Sequence, residues 1–164
     1  MHLSNNLEYE PIYRRGKNSI MLTPDNLAHE VRVFVYRYFE GRPDFLLLRR
    51  HPRAENELGP VRGSVELSEH LRDAVLREVR EETGILRPSH LIDLEFQSKL
   101  VIGEAGLIQW DFGYQAPGSE AAHGIRKGPQ VAEACWLPFE QAFGLLSSED
   151  RSALVRLQMM LRAG

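Results

Sequence analysis

Residues 29–39 read HEVRVFVYRYF, and no other stretch limits the fold as sharply. Val31, Val33 and Val35 alternate with Arg32, Phe34 and Tyr36, so large side chains recur on both sides of an extended segment. A period of two, carried by β-branched and aromatic residues, predicts a strand with two occupied faces. Glu40-Gly41-Arg42-Pro43-Asp44 then reads as a turn, and Phe45-Leu46-Leu47-Leu48 as a second, buried strand. Residues 51–62 contain Pro52, Gly59 and Pro60 and read as irregular.

From residue 69 to 83 the pattern turns helical. Ser68 is the predicted N-cap, and Glu69 falls in the first turn, where the helix dipole favours negative charge. Gly84 stands where a C′ residue would, and Pro88 prevents continuation. Residues 95–102 and 107–115 read as a hairpin around Gly103-Glu104-Ala105-Gly106. A loop rich in Gly, Pro and Ala runs to about Pro129, a short strand ends at Trp136-Leu137, and Pro138 opens a short helix. Residues 148–162 are amphipathic, with Leu154, Leu157 and Leu161 at helical spacing.

Strands on both sides of a central helix, with helices closing the chain, suit an α/β sandwich with a mixed sheet better than a regular βαβ array. With 164 residues and no repeat, low-complexity tract or linker, residues 1–164 read as one domain able to bury a real core. The apolar fraction of 43% and charged fraction of 26% are those of a soluble globular chain. A net charge of -3 argues against nucleic acid or an anionic membrane as partner. No run is apolar for long enough to span a bilayer, and MHLSNNLEYEPIYRRGK resembles neither a signal nor a transit peptide. The single cysteine, Cys135, excludes an internal disulfide and reads as a buried structural thiol beside Trp136. A cytoplasmic location is the expectation.

The central helix poses the functional question, because Glu78, Glu81 and Glu82 crowd three carboxylates together. With Glu78 at zero on a helical wheel, Glu82 lies near about +40° and Glu81 near about -60°. Leu71, Val75 and Val79 fall at roughly +20°, +60° and +100°, so the acidic sector borders the face that should meet the sheet. Like charges four residues apart cost a few tenths of a kcal/mol, which Arg77 offsets only in part. A solvated face and a divalent-cation site both remain open on spacing alone, the latter because magnesium takes hard oxygen ligands.

The wider stretch adds to this. Reading from Gly63, the chain gives Glu69, Arg77-Glu78-Val79, Glu81-Glu82, Gly84 and Ile85. This resembles the Nudix box, Gly-x5-Glu-x7-Arg-Glu-U-x-Glu-Glu-x-Gly-U with U aliphatic, at every defined position of residues 63–85. A chance match at one start is on the order of 1 in 10⁹. The resemblance implies an α/β/α sandwich around a mixed sheet. It also implies a magnesium- or manganese-dependent pyrophosphohydrolase that cleaves a nucleoside diphosphate linked to another group by water attack on phosphorus. Glu78, Glu81 and Glu82 would be the metal ligands, one of them able to double as base; Arg77 would orient them and Glu69 support them. The backbone at Arg62 and Gly63 would approach the metal. The partner would be a small nucleotide, with a nucleoside triphosphate or a dinucleoside polyphosphate favoured, and the resemblance is compatible with a homodimer.

Arg62 and Ser68 stand where many family members carry glycine, at positions the box leaves undefined. Val61-Arg62-Gly63-Ser64-Val65-Glu66 is similar to the Val-x-Gly-Ser-Val-Glu of the dATP and dihydroneopterin-triphosphate pyrophosphatase branch. A basic residue before the box glycine is also similar to the Pro-Lys-Gly of diadenosine-tetraphosphate hydrolases.

Outside the box, Arg49, Arg50, His51 and Arg53 could hold substrate phosphates or merely solvate a loop, and the same choice applies to Arg126 and Lys127. Glu104, Glu120 and Glu133 are candidates for a base outside the helix. Tyr36, Phe45, Trp110, Phe112 and Tyr114 fit the core better than a base-stacking role, and the histidines show no paired metal spacing. The rival function is a non-catalytic Nudix-fold sensor that binds a nucleotide without cleaving it; the intact acidic set argues against it.

Overall fold

The computed structural model describes residues 27–102, 105–118 and 124–164. Its spine is β1 (Leu27–Phe39), the alternating segment, extended by two residues beyond the sequence expectation. β2 (Arg42–Arg50) returns antiparallel to it, pairing Tyr36 with Phe45 and Phe39 with Arg42. β3 (Val61–Ser64) also runs antiparallel to β1, with Val31 opposite Gly63 and Arg32 opposite Arg62. β4 (His90–Ile102) and β5 (Ala105–Gln115) form the expected hairpin, and β5 then lies parallel to β1 from Leu27↔Gly106 to Tyr36↔Gln115. β6 (Val131–Pro138) pairs antiparallel with β2. The mixed sheet has the order β4-β5-β1-β2-β6, with β3 on β1 beside that path.

Both faces of β1 are covered, as its alternation requires. Val31, Val33 and Val35 pack with Leu71, Val75 and Val79 of α1 (Leu71–Thr83). On the other side, Phe34 and Tyr36 meet Ala142 of α2 (Phe139–Leu145) and Leu154 and Leu157 of α3 (Ser148–Ala163). The result is an α/β/α sandwich with a mixed central sheet. Trp110, Phe112, Tyr114 and Phe45 are buried, which matches their reading as core. Cys135 is half-buried against the α2–α3 side, so its thiol is less enclosed than expected. Among the described residues no helix is long and apolar enough to cross a membrane.

Several local expectations need correction. The turn read over residues 40–44 narrows to Glu40-Gly41, because Arg42, Pro43 and Asp44 already pair with β1, and β4 starts at His90 rather than at residue 95. Ser68 does not cap α1: the helix starts at Leu71 after His70, and Ser68 sits at φ 63°, in the left-handed region that glycine enters without strain. Glu69 therefore precedes the helix rather than lying in its first turn. Residues 51–62 are not wholly irregular. They hold a 3-10 turn at Arg53–Glu55, a bridge between Leu48 and Gly59, and the first residues of β3. A four-residue strand is too short for its period to show in the sequence.

The C-terminus of α1 follows the sequence closely. Gly84 adopts φ 78° and donates its N–H to the Arg80 carbonyl, closing the last turn.

Candidate active site

The site forms where α1 lies along β3. Val65 N–H donates to the His29 carbonyl, which makes 29/65, 31/63 and 33/61 the hydrogen-bonded pairs of the β1–β3 ladder. Arg62 and Ser64 then turn their own N–H and C=O away from β1. Both outward groups meet the box. The Arg62 backbone hydrogen-bonds the Glu82 carboxylate, and the Ser64 carbonyl accepts Arg77 Nη2 at 2.8 Å. Between them, Gly63 faces Glu78 so closely that a Cβ would lie 1.8 Å from its carboxyl carbon. Here the missing side chain is a steric requirement.

Arg77 gathers the acidic residues. Its Nε and Nη2 donate to the two Glu69 oxygens at 2.9 and 3.0 Å, and Nη1 donates to Glu78 Oε1 at 2.7 Å. Glu81 Oε2 stands 3.5 Å from the same Nη1, on a side chain that is 55% exposed. Glu69 also accepts the Glu66 N–H at 2.9 Å. The Arg77 hydrogen bonds hold the Glu69 carboxyl below its ordinary range, and the Glu69 partner holds the guanidinium still more firmly protonated. A planar fork with five donors can serve two carboxylates and a carbonyl at once, which an ammonium cannot.

Glu78 and Glu82 are 9% and 8% exposed, and burial raises both carboxyls above the ordinary range against the pull of Arg77 and Arg50. The two helix carboxylates that border the apolar face are therefore the buried ones, and Glu81, on the far side of the sector, is exposed.

The basic residues divide. Arg50 grips both oxygens of Glu82, at 2.9 and 2.7 Å, and joins the acidic cluster. Arg49 points elsewhere: it donates to Glu133 at 2.9 Å and to the Asn56 carbonyl at 2.7 Å. Arg62 sends its side chain through to the opposite face, where Nη2 meets Asp150. Only its backbone stays with the box. Glu133, one of the candidate bases, is held below the usual carboxylate range by Arg49, with Arg53 adding to the effect. Glu104 and Glu120 lie outside the described residues.

A polar groove of about 530 Å³ opens beside β6, lined by Arg37, Arg53, Ile125, Lys127, Glu133 and Trp136. The Arg37 guanidinium lies 4.5 Å from the Trp136 ring centre, a cation–π geometry. The loop forming one wall is docked on the end of α1: Arg126 N–H reaches the Thr83 carbonyl and Gly128 N–H the Glu82 carbonyl. A Cβ at Gly128 would lie 2.2 Å from the Glu81 carbonyl oxygen, so this glycine too fills a place no other residue can. Of the two basic loop residues, Lys127 lines the groove and Arg126 packs over Gly84.

Two buried polar groups went unread in the sequence. Arg32 donates twice to Asp111 at 2.8 Å and once to Asp150 at 3.1 Å, all beneath α3. A charge inside each of two apolar strands, Arg32 among valines and Asp111 between Trp110 and Phe112, was the available signal. Trp110 Nε1–H donates to His29 Nδ1 at 3.0 Å, and burial lowers the His29 pKa.

Among the described residues, no three His, Cys, Asp or Glu side chains are drawn together as a metal cluster. The donors nevertheless fit a hard divalent cation. Glu78, Glu81 and Glu82 offer carboxylate oxygens, and the glycine backbone meets Glu78 where a Cβ would displace it. The raised Glu78 and Glu82 carboxyls also show negative charge that burial penalises and the arginines only partly offset. Such an ion, when bound, would neutralise phosphate charge and acidify a water.

Comparison with known proteins bears on the family and the fold. The NUDIX domain family model matches residues 28–157. No curated protein sequence matches significantly. A Caenorhabditis elegans Ap4A hydrolase, solved as a binary complex, superposes with a TM-score of 0.65 at 20% identity, over 84% of this chain and 99% of that one. The Escherichia coli dihydroneopterin triphosphate pyrophosphohydrolase gives a TM-score of 0.63 at 22% identity, over 77% and 91%. The NUDIX domain of Shewanella oneidensis NrtR, solved with ADP ribose, gives 0.66 at 16%, over 85% and 90%. At such identities the likeness is one of fold.

Proposed function

The chain belongs to the Nudix family, and from that premise we propose that it is a divalent-metal-dependent pyrophosphohydrolase acting on a nucleotide anhydride. One observation carries the reading: Arg77 holds Glu69 and Glu78 in one hydrogen-bonded set while Gly63 and the free edge of β3 close on Glu78 and Glu82. Burying two carboxylates at the edge of a core weakens the fold, so a cation is their natural partner. Magnesium, or manganese in its place, would be held by Glu78, Glu81 and Glu82. Arg77 keeps these side chains oriented, and a carboxylate whose pKa burial has raised is suited to take a proton from water.

The groove between residues 124–128 and β6 would receive the part of the substrate beyond the anhydride, with Lys127 and Arg53 toward its phosphates. A nucleoside triphosphate or dinucleoside polyphosphate fits this combination of cationic rim and Trp136. Arg49 and Arg50 act in this reading through the carboxylates they hold rather than as phosphate ligands. The chain would work as one cytoplasmic domain, free or as a homodimer.

The Arg50–Glu82 clamp favours a second reading, since both Glu82 oxygens are engaged by a guanidinium. A domain that binds a nucleotide and keeps that clamp closed would be a sensor. Incubation with magnesium and a panel of dNTPs, dinucleoside polyphosphates, ADP-ribose and nucleotide sugars, followed by product analysis, separates the two. Cleavage of one compound, lost in Glu82→Gln, is the expected result. Binding without cleavage would favour the sensor.

A further inference from the structure

We propose that Asp150, on α3, is a positioning residue for the acidic site: it anchors Arg62 and so holds the free edge of β3 against Glu82. The inference rests on the metal-dependent reading above and concerns residues outside the box.

β3 has four residues and pairs with β1 alone in the sheet. Its outer edge carries the Arg62 N–H that reaches Glu82 and the Ser64 carbonyl that reaches Arg77, so a shift of β3 moves the partners of both. Gly63, between them, leaves no clearance against Glu78. Something must fix this short strand, and the Arg62 side chain is placed to do so. It leaves β3 on the face away from α1 and ends on Asp150 Oδ1.

Asp150 is itself well fixed. It is 3% exposed, sits in the first turn of α3 where the helix dipole favours its charge, and donates its N–H to the Ser147 side chain. Arg32 Nη1 binds the same Oδ1 at 3.1 Å, and Asp111 secures Arg32 with two bonds of 2.8 Å. The four groups form a set of two positive and two negative charges. A purely architectural role, tying α3 to the sheet, is already met by Arg32, which joins Asp150 to β1 and β5. The Arg62 arm extends that tie to a further strand. It reaches β3, and from there the next bond is to Glu82.

The test compares Arg62→Gln, Arg62→Lys, Asp150→Asn, the Arg62→Gln/Asp150→Asn double variant and Leu154→Ala in the full chain. Leu154→Ala weakens α3 through its apolar face without touching the charged set. Mn2+ affinity is read from the electron paramagnetic resonance signal of the free ion, and kcat and KM are measured on the compound that the panel assay identifies as cleaved. Arg62 is partly exposed, so Arg62→Gln keeps the test available if Asp150→Asn does not fold. Arg62→Gln should weaken Mn2+ binding about tenfold, as loss of a ligand's supporting partner does, and lower kcat more than it raises KM. Arg62→Lys should recover part of both, and the double variant should be no worse than the weaker single one. Leu154→Ala should melt earlier yet bind Mn2+ within about twofold of the parent. Parent-like Mn2+ binding in Arg62→Gln, or equal weakening in Leu154→Ala, would overturn the proposal alone. A parent protein that binds no Mn2+ would overturn the metal-dependent reading and the proposal with it.

Discussion

Gly63→Ala separates folding from function at a single atom. The added Cβ would lie 1.8, 2.1 and 2.3 Å from the carboxyl carbon and two oxygens of Glu78. Ordinary contact begins near 3.4 Å, so one partner must retreat by about 1.6 Å. β3 cannot give easily, being tied to β1 on one edge and to Arg77 and Glu82 on the other. The far end of the Glu78 side chain is the softer element and should swing away. That breaks the 2.7 Å bond to Arg77, a charge-assisted interaction whose loss costs about 1.5–3 kcal/mol. For a domain of this size the melting temperature should fall by about 2–4 °C per kcal/mol. Part of the loss returns because a buried carboxylate is released toward water.

Activity should suffer far more, since a displacement of about 1 Å in a catalytic group can cost about 100-fold. Gly144→Ala in α2 is the matched control: nothing lies within 4 Å of its Cβ, and a helical Gly→Ala change gains roughly 0.5–1 kcal/mol. Thermal melts and steady-state hydrolysis of both variants give the answer. A Gly63→Ala enzyme with parental kcat would refute the close approach as a functional requirement. One that fails to fold would show that β3 yields before Glu78.

The remaining predictions concern charge. Arg77→Lys keeps the positive charge but cannot span Glu69, Glu78 and the Ser64 carbonyl together, so kcat should fall about 100-fold with a stability loss of about 1.5–3 kcal/mol, read by kinetics and urea melts. Glu82 carries a carboxyl whose pKa burial raises, so its neutral form suits the fold better than its charged form. Glu82→Gln should thus melt no lower than the parent near neutral pH. That advantage should shrink as pH falls through the raised pKa, where the parent carboxyl takes up its own proton. Glu69 has the opposite sign: its lowered pKa gives stability above the ordinary carboxylate range that is lost as pH falls through the depressed value. The parent should therefore lose stability on acidification more steeply than Glu69→Gln in pH-dependent melts. Chelation should abolish hydrolysis, and magnesium should raise the melting temperature of the parent more than that of Glu82→Gln, as binding to the native state alone requires.

Periodicity and chemistry in the sequence determined a great deal about this protein. The alternation of Val31, Val33 and Val35 with Phe34 and Tyr36 fixed a strand covered on both faces, because side chains on a pleated backbone have no other directions to take. The wheel positions of Glu78 and Glu82 beside Leu71, Val75 and Val79 forecast carboxylates at a buried edge, and Gly84 marked the end of α1 through its left-handed backbone. All of these depend on residues within a few turns of one another.

Tertiary structure decided what such local rules cannot reach. Arg49 and Arg50 are neighbours in sequence, yet the first serves Glu133 and the second Glu82, because successive strand residues face opposite ways and a register shift falls between them. Arg62 precedes the box glycine but leaves its side chain under α3, paired with a residue 88 positions away. Ser68, read as a cap, became a left-handed turn because the chain had to carry Glu69 back to Arg77 before the helix began. The carboxylates were legible in the sequence because a helix fixes its own geometry. The pairing of Arg50 with Glu82 was not, because partners across a sheet are set by register, and register is settled only when the whole core closes.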